Sequence, residues 1–182
     1  WQLVVATSNF EQDKAIVDYC QQLAVDCYVG REEDVLDRYY QCATEYAFDH
    51  VIRLTADNPF TDVEELISLV KLHLDARNDY CHNFGKLPVG VGAEIFTMRA
   101  LTRSWHEGVE TQHREHVNEF ILENPTKFRI GYLEVAQSKQ QSKLALTIDT
   151  EQDYHRIKRC LSAMNESKLT TEGIIKQCLL SV

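Results

Sequence analysis

No hydrophobic run in this 182-residue sequence reaches the length a membrane-spanning helix needs, because charge interrupts each one well before about 18 residues. No secretory signal is visible either. Basic residues are in deficit: 19 Lys and Arg stand against 28 Asp and Glu, a formal net charge of −9. Neutralising a nucleic-acid backbone needs clustered Lys and Arg, so a general nucleic-acid binder is excluded. A small phosphorylated ligand is not, since a few local cations or a metal ion suffice for it. The six cysteines, Cys20, Cys27, Cys42, Cys81, Cys160 and Cys178, contain no C-x-x-C pair, so zinc-site spacing is missing. Most fall inside apolar patterns, which reads as buried structural thiols in a reducing cytoplasm. There is no G-x-G-x-x-G turn, and Gly90-Val91-Gly92 is too short for a phosphate loop and precedes a strand rather than a helix. A dinucleotide-dependent dehydrogenase is excluded on that ground. Repeats, low-complexity tracts and linkers are all lacking, which leaves one domain spanning residues 1–182.

What is present is an alternation of strand and helix signals. Leu3 to Thr7 is a short apolar run suited to a buried strand. A helix is expected from about Glu11 to Ala24, a strand at Cys27-Tyr28-Val29, a helix from Glu32 to Phe48, and a strand from His50 to Thr55. A helix follows from Asp62 to Asp75, with Leu66, Leu69, Val70 and Leu74 on its inner face. Further strands are read at 79–82 and 93–96, and a helix capped by Thr97 runs through Trp105. His113 to Glu123 reads as one helix, ended by Asn124-Pro125. Phe128 to Val135 and Leu144 to Ile148 read as the last strands, before helices opened by Thr150 and by Thr171-Glu172. This order predicts an α/β fold with a three-layer, mostly parallel sheet, whose ligands bind beyond the carboxyl ends of the strands.

Two aspartates directly follow apolar runs at such ends. Asp57 comes after Val51 to Ala56, and Asp149 after Leu144 to Ile148. A carboxylate pair there suits Mg²⁺, a hard ion that prefers oxygen ligands and would clamp triphosphate oxygens. Alternatively, each aspartate only caps the turn or helix that follows. The stretch from Arg31 to Arg38 is a charged helix start, for which capping and surface ion pairing are the plainer reading. His113 and His116 are three apart, on a shared helix face, but no further ligands stand at a spacing that zinc requires.

Together these segments resemble a known family. The run Val29-Gly30-Arg31-Glu32-Glu33-Asp34-Val35-Leu36-Asp37-Arg38-Tyr39-Tyr40 is similar to spore coat polysaccharide biosynthesis proteins, which are themselves similar to 3-deoxy-manno-octulosonate cytidylyltransferases. Arg53-Leu54-Thr55-Ala56-Asp57-Asn58-Pro59 resembles that family's strand ending in Asp-x-Pro. Arg114-Glu115-His116-Val117, followed by Asn124-Pro125 and Phe128, also fits, as does Thr147-Ile148-Asp149-Thr150-Glu151-Gln152-Asp153. The four segments occur in the expected order and span nearly the whole chain.

The resemblance implies a glycosyltransferase-A-like fold and a CTP-dependent cytidylyltransferase that moves CMP from CTP to a sugar for surface polysaccharide synthesis in the cytoplasm. Asp57 and Asp149 would be its Mg²⁺ ligands. Arg31, Asp34 and Arg38 would lie where the sugar and base meet, and Glu94, Arg114 and His116 would line the acceptor side. Related enzymes are often homodimers, so a second copy is among the implied partners. The family also begins with a strand and a loop of the type Arg-x-Gly-Ser-x-Arg-Leu-Pro-Gly-Lys, whereas this sequence opens at Trp1 without an initiator Met. The missing strand is expected between 3–7 and 51–56, and the chain as given is expected to lack transferase activity. From a different class, a non-catalytic sugar- or partner-binding module on the same fold is the competing reading; it predicts no divalent-ion binding.

Overall fold

In the computed structural model, which describes residues 1–164 and 169–180, the first apolar run becomes strand β1 (Val4–Ser8). It is followed by α1 (Lys14–Leu23), β2 (Asp26–Gly30), α2 (Val35–Glu45), β3 (His50–Arg53), α3 (Val63–Asp75), β4 (Tyr80–His82) and β5 (Glu94–Thr97). Then come α4 (Met98–Glu107), α5 (Thr111–Glu115), α6 (Glu119–Glu123), β6 (Ile130–Tyr132), α7 (Glu151–Ser162) and α8 (Thr171–Leu180). The chain divides into two compact units, one made of Trp1–Val51 with Phe96–Arg129, the other of Ile52–Ile95 with Ile130–Val182.

In the first unit β1 and β2 pair in parallel, with Val4 opposite Asp26 and Ser8 opposite Gly30. Helix α1 stops where Ala24 turns into the left-handed region (φ 52°) and its N–H reaches back to the carbonyls of Cys20 and Gln21. Helix α2 starts at Asp34, whose side chain accepts from the Asp37 N–H at 2.8 Å. Its inner face buries Leu36, Cys42 and Ala43. Burial raises the Cys42 thiol to about 11, with Glu45 and Cys27 adding to the effect, so this thiol stays protonated and inert. Thr97 caps α4 through the Ala100 N–H at 3.1 Å, and Trp105 of α4 stacks on Tyr40 of α2 with ring centroids 4.4 Å apart.

The second unit is built around a four-stranded sheet of order β3-β5-β4-β6. Strands β4 and β6 run parallel, Tyr80 facing Ile130 and His82 facing Tyr132. Leu69 of α3 packs with Cys81, Ala93 and Ile95, joined by Ile52, Leu66 and Leu133. A second core gathers Phe60, Leu87, Val91, Val135 and Leu146 with Ile157, Cys160, Ile174 and Cys178. From sequence a further strand is expected between residues 3–7 and 51–56. Among the described residues, β1 is bonded only to β2, and β3 stands at the end of its sheet.

Three expectations need correction. The segment from Leu144 to Ile148 is extended but forms no regular ladder. Its backbone bonds are shared out: Val89 donates to Leu144 at 2.9 Å, Leu146 to Val89 at 2.8 Å, and Ile148 to Asp57 at 2.9 Å. The helix read over 113–123 is two helices, because His116 turns extended (φ −110°, ψ 102°) and the chain restarts at Glu119. Cys160 and Cys178 are joined by a disulfide between α7 and α8 rather than being free thiols; Cys20, Cys27, Cys42 and Cys81 are free.

Candidate active site

The loop that leaves β3 is tied down on either side of Asp57. Asn58 donates through its backbone to the Thr55 carbonyl at 3.1 Å, and through its side-chain nitrogen to Thr55 Oγ1 at 2.6 Å. The Asp57 carbonyl accepts from the Ile148 N–H at 2.9 Å, which brings the residue before Asp149 alongside Asp57 across 91 positions of sequence. Thr147 donates to Asp149 Oδ2 at 2.7 Å and so orients the second carboxylate. Asp57 and Asp149 are both exposed. Among the described residues, neither carboxylate is held in an ion pair.

Two open carboxylates fit a hard divalent ion, which takes one or two from the protein and the rest of its oxygens from water or substrate phosphate. A closed, all-protein metal cage is a different matter: among the described residues no group of three His, Cys, Asp or Glu side chains could form one. One orphaned atom adds to the fit. Asn58 Oδ1 is shut off from solvent and has no hydrogen-bond partner among the described residues. It faces Gly90, where an added Cβ would lie 2.9 Å from that oxygen and 2.9 Å from Thr147 Cγ2. Gly90 also sits at φ +91°, so glycine is needed there for both space and backbone.

Five residues beyond Asp57, Asp62 caps α3 by accepting from the Glu65 N–H at 3.0 Å. Its other oxygen takes the Thr171 hydroxyl at 2.5 Å and the Lys139 ammonium at 2.9 Å. Lys139 also reaches Glu64 and Glu65, each at 3.2 Å. Burial opposes the charge on both Asp62 and Lys139. The surrounding hydrogen bonds outweigh it, holding the Asp62 carboxyl below its usual range and the Lys139 ammonium above its own. This network lines a cavity of about 370 Å³ with Phe60, Leu161, Leu169 and Ile174 on its apolar side. From sequence, Asp62 and Thr171 were read only as helix starts, and Lys139, Glu64 and Glu65 were not singled out.

Glu94 lies on β5, fully buried, with Oε1 accepting from Arg53 at 2.5 Å and Oε2 from the Tyr80 hydroxyl at 2.6 Å. The residue expected on an acceptor face therefore has an internal partner for each oxygen.

The remaining predicted residues belong to the first unit. Asp34 spends one oxygen on the α2 cap; the other accepts from Arg114 Nε at 2.8 Å and Nη2 at 2.5 Å. Arg114 Nη1 donates to the Trp105 carbonyl at 3.0 Å, so two of the predicted site residues hold each other and brace α4. Arg38 donates from Nη1 to the Arg31 carbonyl at 3.0 Å, while its Nε is buried without a partner among the described residues. The Arg31 side chain is exposed, as is His116 at the end of α5. His113 takes a different place from His116: its Nδ1 accepts from the Glu110 N–H at 3.2 Å, so Nε2 carries the proton and donates to Glu123 at 2.7 Å.

Comparison with known proteins agrees with this architecture. A family model described as cytidylyltransferase matches residues 2–175. An uncharacterised protein from Methanocaldococcus jannaschii is 38% identical over 152 residues, covering 84% of this chain and 62% of that protein. The spore coat polysaccharide biosynthesis protein SpsF of Bacillus subtilis is 34% identical over 157 residues, covering 86% of this chain and 65% of SpsF. The chain thus spans a little under two thirds of the length of these relatives. The structure of a cytidylyltransferase from Leptospira borgpetersenii superposes with a TM-score of 0.89 at 27% identity, over 98% of this chain and 76% of that one. A CMP:2-keto-3-deoxy-manno-octonic acid synthetase complexed with CTP matches with a TM-score of 0.64 at 14% identity, over 89% and 81% of the two chains, a likeness of fold. The α/β fold is accordingly that of the nucleotide-diphospho-sugar transferases.

Proposed function

This chain belongs to the cytidylyltransferase family, and we propose that its protein transfers CMP from CTP to a sugar, with Mg²⁺ held by Asp57 and Asp149. The observation that carries this reading is the Ile148 N–H to Asp57 carbonyl bond, which brings together the two segments that bear the exposed carboxylates. In the reaction a sugar hydroxyl gives up its proton to water and forms a bond to the α-phosphorus of CTP, and the bond from that phosphorus to the departing pyrophosphate breaks. When bound, Mg²⁺ supplies charge neutralisation for the triphosphate. The protein's own contribution is positioning. Thr147 orients the Asp149 carboxylate through its hydroxyl, and Thr55 fixes the turn that carries Asp57.

Arg31 is exposed, and Arg38 Nε has no partner among the described residues, which leaves both cations open to an anionic ligand. Asp34 and Arg114 act as a brace, since their mutual bonds and the Trp105 carbonyl occupy them. His116 is exposed at the end of α5, whereas Glu94 supports the sheet from within. The product is an activated sugar for polysaccharide synthesis, and the cytoplasm is the compartment that the reading requires.

Calorimetric titration with CTP, UTP, ATP and GTP, each with and without Mg²⁺, tests the proposal. Mg²⁺-dependent binding that favours CTP and is lost in Asp57→Ala is expected. Equal, metal-independent binding of all four nucleotides would count against it.

A further inference from the structure

Resting on the metal reading above, we propose that Asn58 is a positioning residue whose side-chain oxygen accepts a hydrogen bond from a water carried by the divalent ion at Asp57 and Asp149. The side-chain nitrogen is committed to Thr55 Oγ1 at 2.6 Å, which sets the amide's orientation and leaves Oδ1 pointing the other way. That oxygen is buried and has no partner among the described residues. Turning the amide over would leave its nitrogen unpaired in the same place, so one end lacks a partner in either assignment. Buried polar atoms are nearly always satisfied, and an exception calls for a ligand or a water that supplies the missing bond.

The location narrows what that donor is. Asn58 directly follows Asp57 in the chain. On its other side is Thr147: both Asn58 Oδ1 and Thr147 Cγ2 lie 2.9 Å from the point where a Gly90 Cβ would stand. Thr147 in turn holds Asp149 through its hydroxyl at 2.7 Å. The orphaned acceptor thus adjoins the supports of both carboxylates. Mg²⁺ held by two carboxylates keeps several waters, each an O–H donor made stronger by the ion's charge. An acceptor beside the two ligands orients one of those waters, as outer-shell partners do in other metal sites. The turn from Pro88 to Val91, closed by the Val91 N–H on the Pro88 carbonyl at 3.2 Å, covers the oxygen now. A water reaches it only as that turn draws back.

The test is Mn²⁺ affinity, followed by electron paramagnetic resonance without nucleotide or sugar, set beside the urea midpoint of each variant. Asn58→Ala and the similarly sized Asn58→Leu are expected to weaken Mn²⁺ binding by about tenfold. Asn58→Leu also gives up the amide's bond to Thr55 Oγ1, so its urea midpoint is expected to match that of Thr55→Val, which gives up that bond alone. Asn58→Asp keeps the acceptor and should bind at least as tightly as the parent. Parental Mn²⁺ affinity in Asn58→Leu, with affinity lost in Asp57→Ala, overturns the role of Asn58 and leaves the metal reading intact. Mn²⁺ affinity that falls in Thr55→Val as far as in Asn58→Leu marks loss of the turn rather than of the acceptor and also overturns it. Parental affinity in both Asp57→Ala and Asp149→Ala removes the metal reading itself, and this inference with it.

Discussion

The Lys139 ammonium lies 2.9 Å from Asp62 Oδ2, and the two side chains are only 6% and 5% exposed. They join the start of α3 to a segment 77 residues further on, and Thr171 adds the N-terminus of α8 through the same carboxylate. Lys139→Met keeps the length of the side chain but strands the Asp62 and Glu65 carboxylates, so it should destabilise the chain by about 3–5 kcal/mol in urea unfolding. The pH dependence has a definite sign. Asp62 is held below its ordinary 3.8, so its contribution is present above that pH and is lost as pH falls through the lower folded value. Lys139 is held above its ordinary 10.5, so its contribution is complete below that pH and is lost as pH rises through the higher folded value. Lys139→Met should lose the alkaline limb of the stability profile.

The Cys160–Cys178 bond closes a loop across 18 positions between α7 and α8. In the chain-entropy view a loop of this size stabilises by roughly 3 kcal/mol. Dithiothreitol should lower the urea midpoint accordingly, while a Cys160→Ala, Cys178→Ala double variant should show no response to the reductant. An equal response in both would assign the effect to something other than this bond.

Glu94 is the buried anion between Arg53 and Tyr80. Glu94→Gln keeps the shape, removes the charge that compensates Arg53 and should destabilise by about 3 kcal/mol. Tyr80→Phe removes the hydroxyl's bond to Glu94 Oε2 and should cost about 1–2 kcal/mol. Chemical denaturation of the two variants gives the order directly, with Glu94→Gln the less stable.

Gly90→Ala places a methyl group against Asn58 Oδ1, Thr147 Cγ2 and the Thr147 nitrogen, at a φ of +91° that L residues rarely adopt. A loss of roughly 1–3 kcal/mol from backbone strain is expected, before any contribution from the close contacts. Gly85→Ala is a useful control: its φ is also positive, at +99°, but nothing lies within 4 Å of the added carbon. Melting both variants separates the backbone effect from the contacts, and Gly90→Ala should be the lower.

Local chemistry was the legible part of this fold. Asp34, Asp62, Thr97 and Thr150 mark helix starts because a short polar side chain accepts from an N–H three residues on, a signal contained within a single turn. The strand read from Leu144 to Ile148 shows where such signals end: its apolar residues specify an extended chain, but which carbonyls receive its N–H groups depends on Val89 and Asp57, far away in sequence. The break at His116 was hidden because apolar spacing continues through Val117 and Phe120 into α6. Lys139 was overlooked for a related reason. A lysine reads as a surface residue unless its carboxylates are known, and these lie more than 70 positions upstream. Cysteine spacing did not reveal the Cys160–Cys178 pair, since 18 residues fit many arrangements. At the candidate site, Asp57 and Asp149 were readable from their places after apolar runs. Asn58 was quoted only as part of a motif, because an unpaired oxygen becomes visible only when its surroundings are assembled.

The proposed reaction is CMP transfer from CTP with Mg²⁺ held by Asp57 and Asp149. Its most direct test is pyrophosphate release by the protein in its natural full length, given CTP, Mg²⁺ and a panel of acidic and neutral sugars. Sugar-dependent release is expected, falling at least a hundredfold in Asp57→Ala and in Asp149→Ala, about 2.7 kcal/mol of transition-state stabilisation or more. Release that persists at the parental rate in both variants, or that proceeds equally well without Mg²⁺, would contradict it.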